Sequence, residues 1–252
     1  MQLIDVQLSS YRDSGYLLVP GLLSAPEVDG LRATIPNLLT GPPDAVLHNA
    51  GDDLPRLVFG AHQQNHAFDL VTRLPRVVAP ARQLLGGDVY VHQTKVTLNT
   101  PQGGEGWPWH QDYAFWSRRD ALPGPQVLSA AIYLDDVTQV NGPLFIVPGS
   151  HRGPLLETDT GVLDRPAVAE LCSRNGIDVP LGPAGSVLYF DGKVVHGSST
   201  NISPFNRRIL YITYNSVSNT PRAVNDDVPA FVAARDYRPV TPVDDGALAL
   251  SA

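Results

Sequence analysis

"WPWHQDYAFW", residues 107–116, sets one imidazole and one carboxylate among five aromatic rings. In an extended chain, positions two apart face the same side, so His110 and Asp112 present a nitrogen and an oxygen donor to one point. That pairing suits a metal ion, and equally a plain His–Asp hydrogen bond, because a short H-x-D motif is weak by itself. The surrounding chain supplies the fold. From Asp88 onward come short β-branched and aromatic runs, "DVYVHQTKVTLN", "QVLSAAIYLDDV", "PLFIVPGS", "GSVLYFDG" and "RRILYITYNS", separated by Gly, Pro, Asn and Asp. They predict an antiparallel double sheet or barrel rather than a parallel sheet alternating with helices.

Ahead of these strands, "SAPEVDGLRATIPNLL" opens on Ser, Pro and acids and places Val28, Leu31 and Ile35 at helical spacing, which predicts a short amphipathic helix. "NHAFDLVTRLPRVVAPARQLLG" predicts helical pieces divided by Pro75 and Pro80 and ending near Gly86. "VLDRPAVAELCSRNG" is a helical insertion among the strands. The expected organisation is one domain over residues 1–252: a helical region about 1–87, a β core about 88–220, and an irregular surface tail that frays at its end and carries no legible chemistry.

Composition narrows the function. A formal net charge of −7 gives no general attraction to phosphate backbones or anionic lipid, so nucleic acid and membrane are excluded as partners and a small molecule is expected. Cys172 is the single cysteine, which rules out an internal disulfide or a Cys-rich zinc site. The chain start lacks a basic head followed by an apolar run, and the expectation is a cytoplasmic monomer or homodimer.

A facial iron triad needs a second histidine from elsewhere in the fold. His196, in "YFDGKVVHGSSTNISPFNRR", follows an apolar strand and a turn; alone it reads equally as a packed histidine. Arg207 opens "RRILYITY", and strand alternation puts Arg207, Ile209, Tyr211 and Thr213 on one face and Arg208 on the other. A buried guanidinium calls for a carboxylate partner. Gln93 and Lys95 share a strand face, as substrate contacts for a carboxylate or amide or as an exposed strand edge. His62 and His66 in "HQQNH" make a weak zinc candidate or a loop closing over substrate, and His151 reads as a turn residue. Asp135 and Asp136 are adjacent, hence on opposite faces of a strand, and do not form a paired acid–base site.

Together, "SGYLLVPGLLS", "WHQDYAFW", "LDDVTQVNGPLFIVPGSHR" and "HGSSTNISPFNRR" resemble the phytanoyl-CoA dioxygenase family of iron(II)- and 2-oxoglutarate-dependent oxygenases over most of the chain. The nearest pattern is the ectoine hydroxylase-like branch, similar around W-H-x-D-[FY]-x-x-W. Lys95 replaces an arginine of that branch, and Tyr211 a phenylalanine. The resemblance implies a mainly β fold, a double-stranded β-helix or jelly roll of cupin type with flanking α-helices. It implies iron held by His110, Asp112 and His196, with Arg207 binding the distal carboxylate of 2-oxoglutarate. Ser198, Thr97 and Trp107 assist the cosubstrate, and Gln93, Lys95, Trp116, Phe190 and Tyr211 match substrate-pocket positions.

The implied reaction consumes O2 and 2-oxoglutarate, releases succinate and CO2, and hydroxylates an unactivated C–H bond of a small polar metabolite, an amino acid or zwitterion. Asp112 disfavours halogenation, which needs a small residue there. A carrier-bound or hydrophobic natural-product substrate, with hydroxylation, desaturation or cyclisation, is the alternative. A non-catalytic metal-binding jelly roll and a zinc hydrolase are the others.

Overall fold

In a computed structural model, which describes residues 1–101, 103–156, 158 and 161–249, the chain opens with α1 (Asp5–Ser14), β1 (Tyr16–Val19) and α2 (Ala25–Leu38). β2 (Val46–His48), β3 (Pro55–Phe59), α3 (Ala61–Gln64), α4 (His66–Arg73) and α5 (Pro75–Leu85) follow. Next come β4 (Val89–Asn99), β5 (Trp107–His110), α6 (Asp112–Arg119), β6 (Val127–Tyr133) and β7 (Leu144–Ile146). α7 (Arg165–Asn175), β8 (Val187–Asp191), β9 (His196–Ser198) and β10 (Arg207–Ser216) complete the set.

The strands form two antiparallel sheets. The larger runs β1-β8-β6-β10-β4-β3-β2 and the smaller β5-β9-β7. Alternation assigns each residue of the large sheet to one of two cores. Leu128, Ala130, Ile132, Leu210, Ile212 and Tyr214 pack with Val28, Leu31, Phe68, Val71, Val77 and Val78 of the helices. Ala131, Tyr133, Leu188, Phe190, Ile209 and Tyr211 pack instead with Leu144 and Ile146 of the small sheet. Each fully buried Leu or Ile contributes about 1.5–3 kcal/mol, and burial of both faces explains why β6 is buried at every position and, Ser129 apart, shows no alternation with polar residues.

Two expectations are corrected. The first 87 residues are not wholly helical: β1 extends one edge of the large sheet through β8, and β3 and β2 extend the other through β4. Pro75 does separate α4 from α5, but Pro80 lies inside α5, whose buried Val77, Val78, Pro80 and Ala81 face the core. That packing outweighs the missing N–H. α5 ends at Gly86, whose φ of 74° is the left-handed cap that glycine adopts without strain. Ser24 starts α2 in a capping box with Glu27, its backbone N–H donating to Oε2 at 2.8 Å.

The tail contains no helix or strand through residue 249; residues 250–252, where fraying was expected, lie outside the described residues. It is not mere surface chain. The Ala234 N–H donates to the His92 carbonyl at 2.9 Å, and Gln93 donates to the Val232 carbonyl. Among the described residues no helix is long and apolar enough to cross a membrane.

Candidate active site

β5 and β9 pair antiparallel with His110 directly opposite His196, which brings the two imidazoles to a centroid separation of 4.3 Å. Extended geometry persists through Gln111 (φ −117°, ψ 122°) and gives way to α6 at Asp112, so the shared side expected of His110 and Asp112 is realised at a strand-to-helix junction. Nε2 of His110 lies 3.6 Å from Asp112 Oδ1, and Nε2 of His196 lies 3.9 Å from Oδ2. One donor atom from each of the three residues falls within 4.8 Å of the others.

The rings are oriented from behind. Nδ1 of His110 contacts the Pro108 carbonyl at 2.7 Å, and Nδ1 of His196 the Val194 carbonyl at 3.0 Å. Nδ1 must therefore carry the proton, which leaves each Nε2 lone pair free toward the shared point. Asp112 Oδ2 is buried without a hydrogen-bond partner among the described residues. Burial opposes ionisation of Asp112, but the Lys95 ammonium, with His110 and His196 alongside it, outweighs burial and holds the carboxyl far below its usual range. Burial, reinforced by His110, depresses His196 to about 4, so its imidazole is neutral at pH 7. Two imidazole nitrogens and an ionised, under-bonded oxygen form the donor set that an octahedral ferrous ion accepts on one face.

Arg207 faces inward, 1% exposed. Its Nη1 donates to Thr97 Oγ1 at 3.3 Å, and its Nη2 to Asn99 Oδ1 at 2.8 Å in the amide orientation that pairs donor with acceptor. The Tyr211 hydroxyl adjoins both Arg207 and Thr97. No carboxylate lies within ion-pairing distance of Arg207 among the described residues, and its Nε has no partner. The acidic partner expected for this guanidinium is thus not found among the described residues. Arg208 faces the other way and forks onto Asp135 at 2.8 and 2.7 Å.

The triad opens on a cavity of about 410 Å³. Gln93, Lys95, Thr97, Trp107, Trp116 and Tyr211 line it, as expected of site residues. Phe190 and Ser198 do not. Phe190 packs behind, 4.9 Å from the His196 ring and 6.4 Å from that of Tyr211, while the Ser198 hydroxyl accepts the Trp107 N–H at 3.1 Å. Gln93 and Lys95 are not on an exposed edge, because β4 lies between β10 and β3. Lys95 points its ammonium at Asp112, 3.4 Å away. Of the five rings in the opening motif, Tyr113 and Trp116 are buried core residues.

Sequence reasoning missed Arg56, Phe59 and Arg119 in the cavity wall. Arg56 lies 3.8 Å above the Trp107 ring and pairs with Glu105 at 2.9 Å. Helical spacing from Asp112 was the available signal for Arg119. The remaining candidates stand apart. α3 and α4 break at Asn65 between His62 and His66, and neither histidine lines the cavity; His62 bonds Thr94 at 2.8 Å, and burial lowers it to about 4. His151 contacts the Arg12 carbonyl. Asp135 holds Arg208, and Asp136 accepts the Ala184 N–H.

The phytanoyl-CoA dioxygenase family model matches residues 11–209. The chain belongs to this family. It is 37% identical to an L-proline trans-4-hydroxylase from Streptomyces griseoviridis, with 96% of each chain covered. It is 34% identical to an ectoine dioxygenase from Nocardia farcinica, over 93% of this chain and 86% of that one. The crystal structure of EctD from S. alaskensis with 2-oxoglutarate and 5-hydroxyectoine superposes with a TM-score of 0.88 at 33% identity, covering 96% of this chain and 87% of EctD. EctD has also been solved with bound Fe. The family protein described here is accordingly a jelly-roll iron(II)- and 2-oxoglutarate-dependent dioxygenase of the hydroxylase type.

Proposed function

We propose that this dioxygenase hydroxylates an unactivated C–H bond of a small zwitterion related to proline or ectoine, as a cytoplasmic monomer or homodimer. The observation that carries the reading is the convergence of His110, Asp112 and His196 at the wall of a cavity of about 410 Å³, near the lower end of the range for small-ligand sites. Iron(II), when bound with 2-oxoglutarate and O2, supplies the oxidising chemistry that releases succinate and CO2. His110 and His196 would hold the metal through Nε2 and Asp112 through a carboxylate oxygen. Arg207 would take the distal carboxylate of 2-oxoglutarate, which provides the anion that this buried guanidinium lacks.

Thr97 and Tyr211 would orient Arg207, Ser198 would fix the backbone of Trp107, and Trp107 would cover the cosubstrate. Gln93, Lys95, Trp116 and Tyr211 would contact the substrate, with Phe190 as backing for His196 and Tyr211. The rings of Trp116 and Tyr211 would exclude water from the reacting carbon.

Incubation with L-proline or ectoine in the presence of iron(II), 2-oxoglutarate and air tests this reading. Equimolar succinate and hydroxylated product are expected. Succinate release that no zwitterion stimulates would contradict it, and turnover without O2 would favour a hydrolase.

A further inference from the structure

Asp112, Phe115, Trp116 and Arg119 all line the cavity, and their spacing of three, four and seven residues places them on one face of α6. α6 therefore runs along the cavity wall with the triad carboxylate at its first residue and a guanidinium at its last, about 10 Å away along the axis. Three cations line this space: Arg56, Lys95 and Arg119. Two are engaged elsewhere. Arg56 donates to Glu105 at 2.9 Å and to the Gly106 carbonyl at 2.6 Å, with its plane against Trp107. The Lys95 ammonium is directed at Asp112.

Arg119 differs from both. Its Nε and Nη2 fork onto Asp120 at 2.6 and 2.9 Å, and no bond engages Nη1 among the described residues. Its side chain is 34% exposed, against 19% for Arg56 and 17% for Lys95, so it is the most accessible of the three. Its support is rigid. Asp120 is fully buried and also bonds Nε2 of His92 at 2.9 Å; His92 in turn sets its ring edge-on to Trp116 at 5.9 Å. From the tail, Asn225 donates to the Arg119 carbonyl at 3.1 Å. A guanidinium held on one side by a buried carboxylate, with donors free on the other, is organised in advance for a second oxyanion.

We infer that Arg119 is a specificity-determining residue that binds the carboxylate of the substrate, with Asp120 and His92 as positioning residues behind it. The inference rests on the reading that the substrate is a small zwitterion. It places the substrate along α6, carboxylate toward Arg119 and the ring or chain toward the triad, and it gives the substrate carboxylate to Arg119 rather than to Lys95, whose ammonium faces Asp112.

Anaerobic calorimetry on the protein loaded with iron(II) and 2-oxoglutarate, titrated with L-proline, ectoine and the carboxylate-free analogue pyrrolidine, tests this assignment. Arg119→Ala should weaken binding of the carboxylate-bearing probe roughly 10- to 100-fold, and leave the affinities for pyrrolidine and 2-oxoglutarate unchanged. Arg119→Lys should recover part of the loss, and Asp120→Asn should give an intermediate weakening. Wild-type affinity in Arg119→Ala, or an equal loss for pyrrolidine, would overturn the inference and leave the zwitterion reading standing. Binding of neither zwitterion by the wild type would overturn that reading and this inference with it.

Discussion

Two adjacent arginines have opposite fates because a strand alternates its faces. Arg207 lies buried beside Thr97 and Asn99 without an acid among the described residues, while Arg208 is neutralised by Asp135. Removing one member of a buried charge pair costs about 3–5 kcal/mol. Arg207→Ala is therefore expected to weaken 2-oxoglutarate binding by roughly 100-fold or more, whereas Arg208→Ala keeps the wild-type dissociation constant. A normal constant for the first variant and a lost one for the second would reverse the proposed roles. The choice between these arginines was legible in the sequence because β10 is long and regular. The absence of an acidic partner for Arg207 was not, since a vacancy in three dimensions leaves no trace in residue spacing.

α6 joins the metal-binding candidates to the cavity wall, and its far end is strained. Ala121, just beyond the helix, has φ 54°, and the Leu122 N–H reaches back to the Trp116 carbonyl at 3.2 Å. A left-handed residue there closes the helix, and glycine fits it better than alanine. Ala121→Gly should stabilise the fold by about 0.5–1 kcal/mol, seen as a higher urea midpoint; an unchanged or lower midpoint would contradict the account. The five long or apolar strand runs were legible because they repeat β-branched and aromatic residues. β1, β2 and β3 were not: each is a run of three to five residues set among helical segments, where so short a pattern does not stand apart. Because β3 brings both Arg56 and Phe59 to the cavity, part of the site stayed hidden with it. Phe190 shows the converse, since a matching position on a strand did not reveal that it stands one layer behind the cavity.

At the scale of the molecule, folding buries a carboxyl outside the triad. Burial raises Asp191 to about 6, against the opposing effect of the Lys193 N–H and charge. Its folded value exceeds its unfolded one, so its contribution is fully present below pH 3.8 and is lost as pH rises toward 6. Asp191→Asn, which keeps the acceptor for Lys193, should gain more stability over the wild type at pH 7.5 than at pH 4.5 in urea denaturation. An equal offset at both would show that Asp191 ionises alike in the folded and unfolded chains. The small sheet matters to the proposed function chiefly because it brings His110 and His196 into register across β5 and β9, with Asp112 two residues past the end of β5. Anaerobic equilibrium dialysis against iron(II) tests that convergence most directly. One ion per chain is expected for the wild type and for Arg207→Ala, and none at the same free concentration for Asp112→Ala or His196→Ala; an undiminished ion in His196→Ala would contradict it.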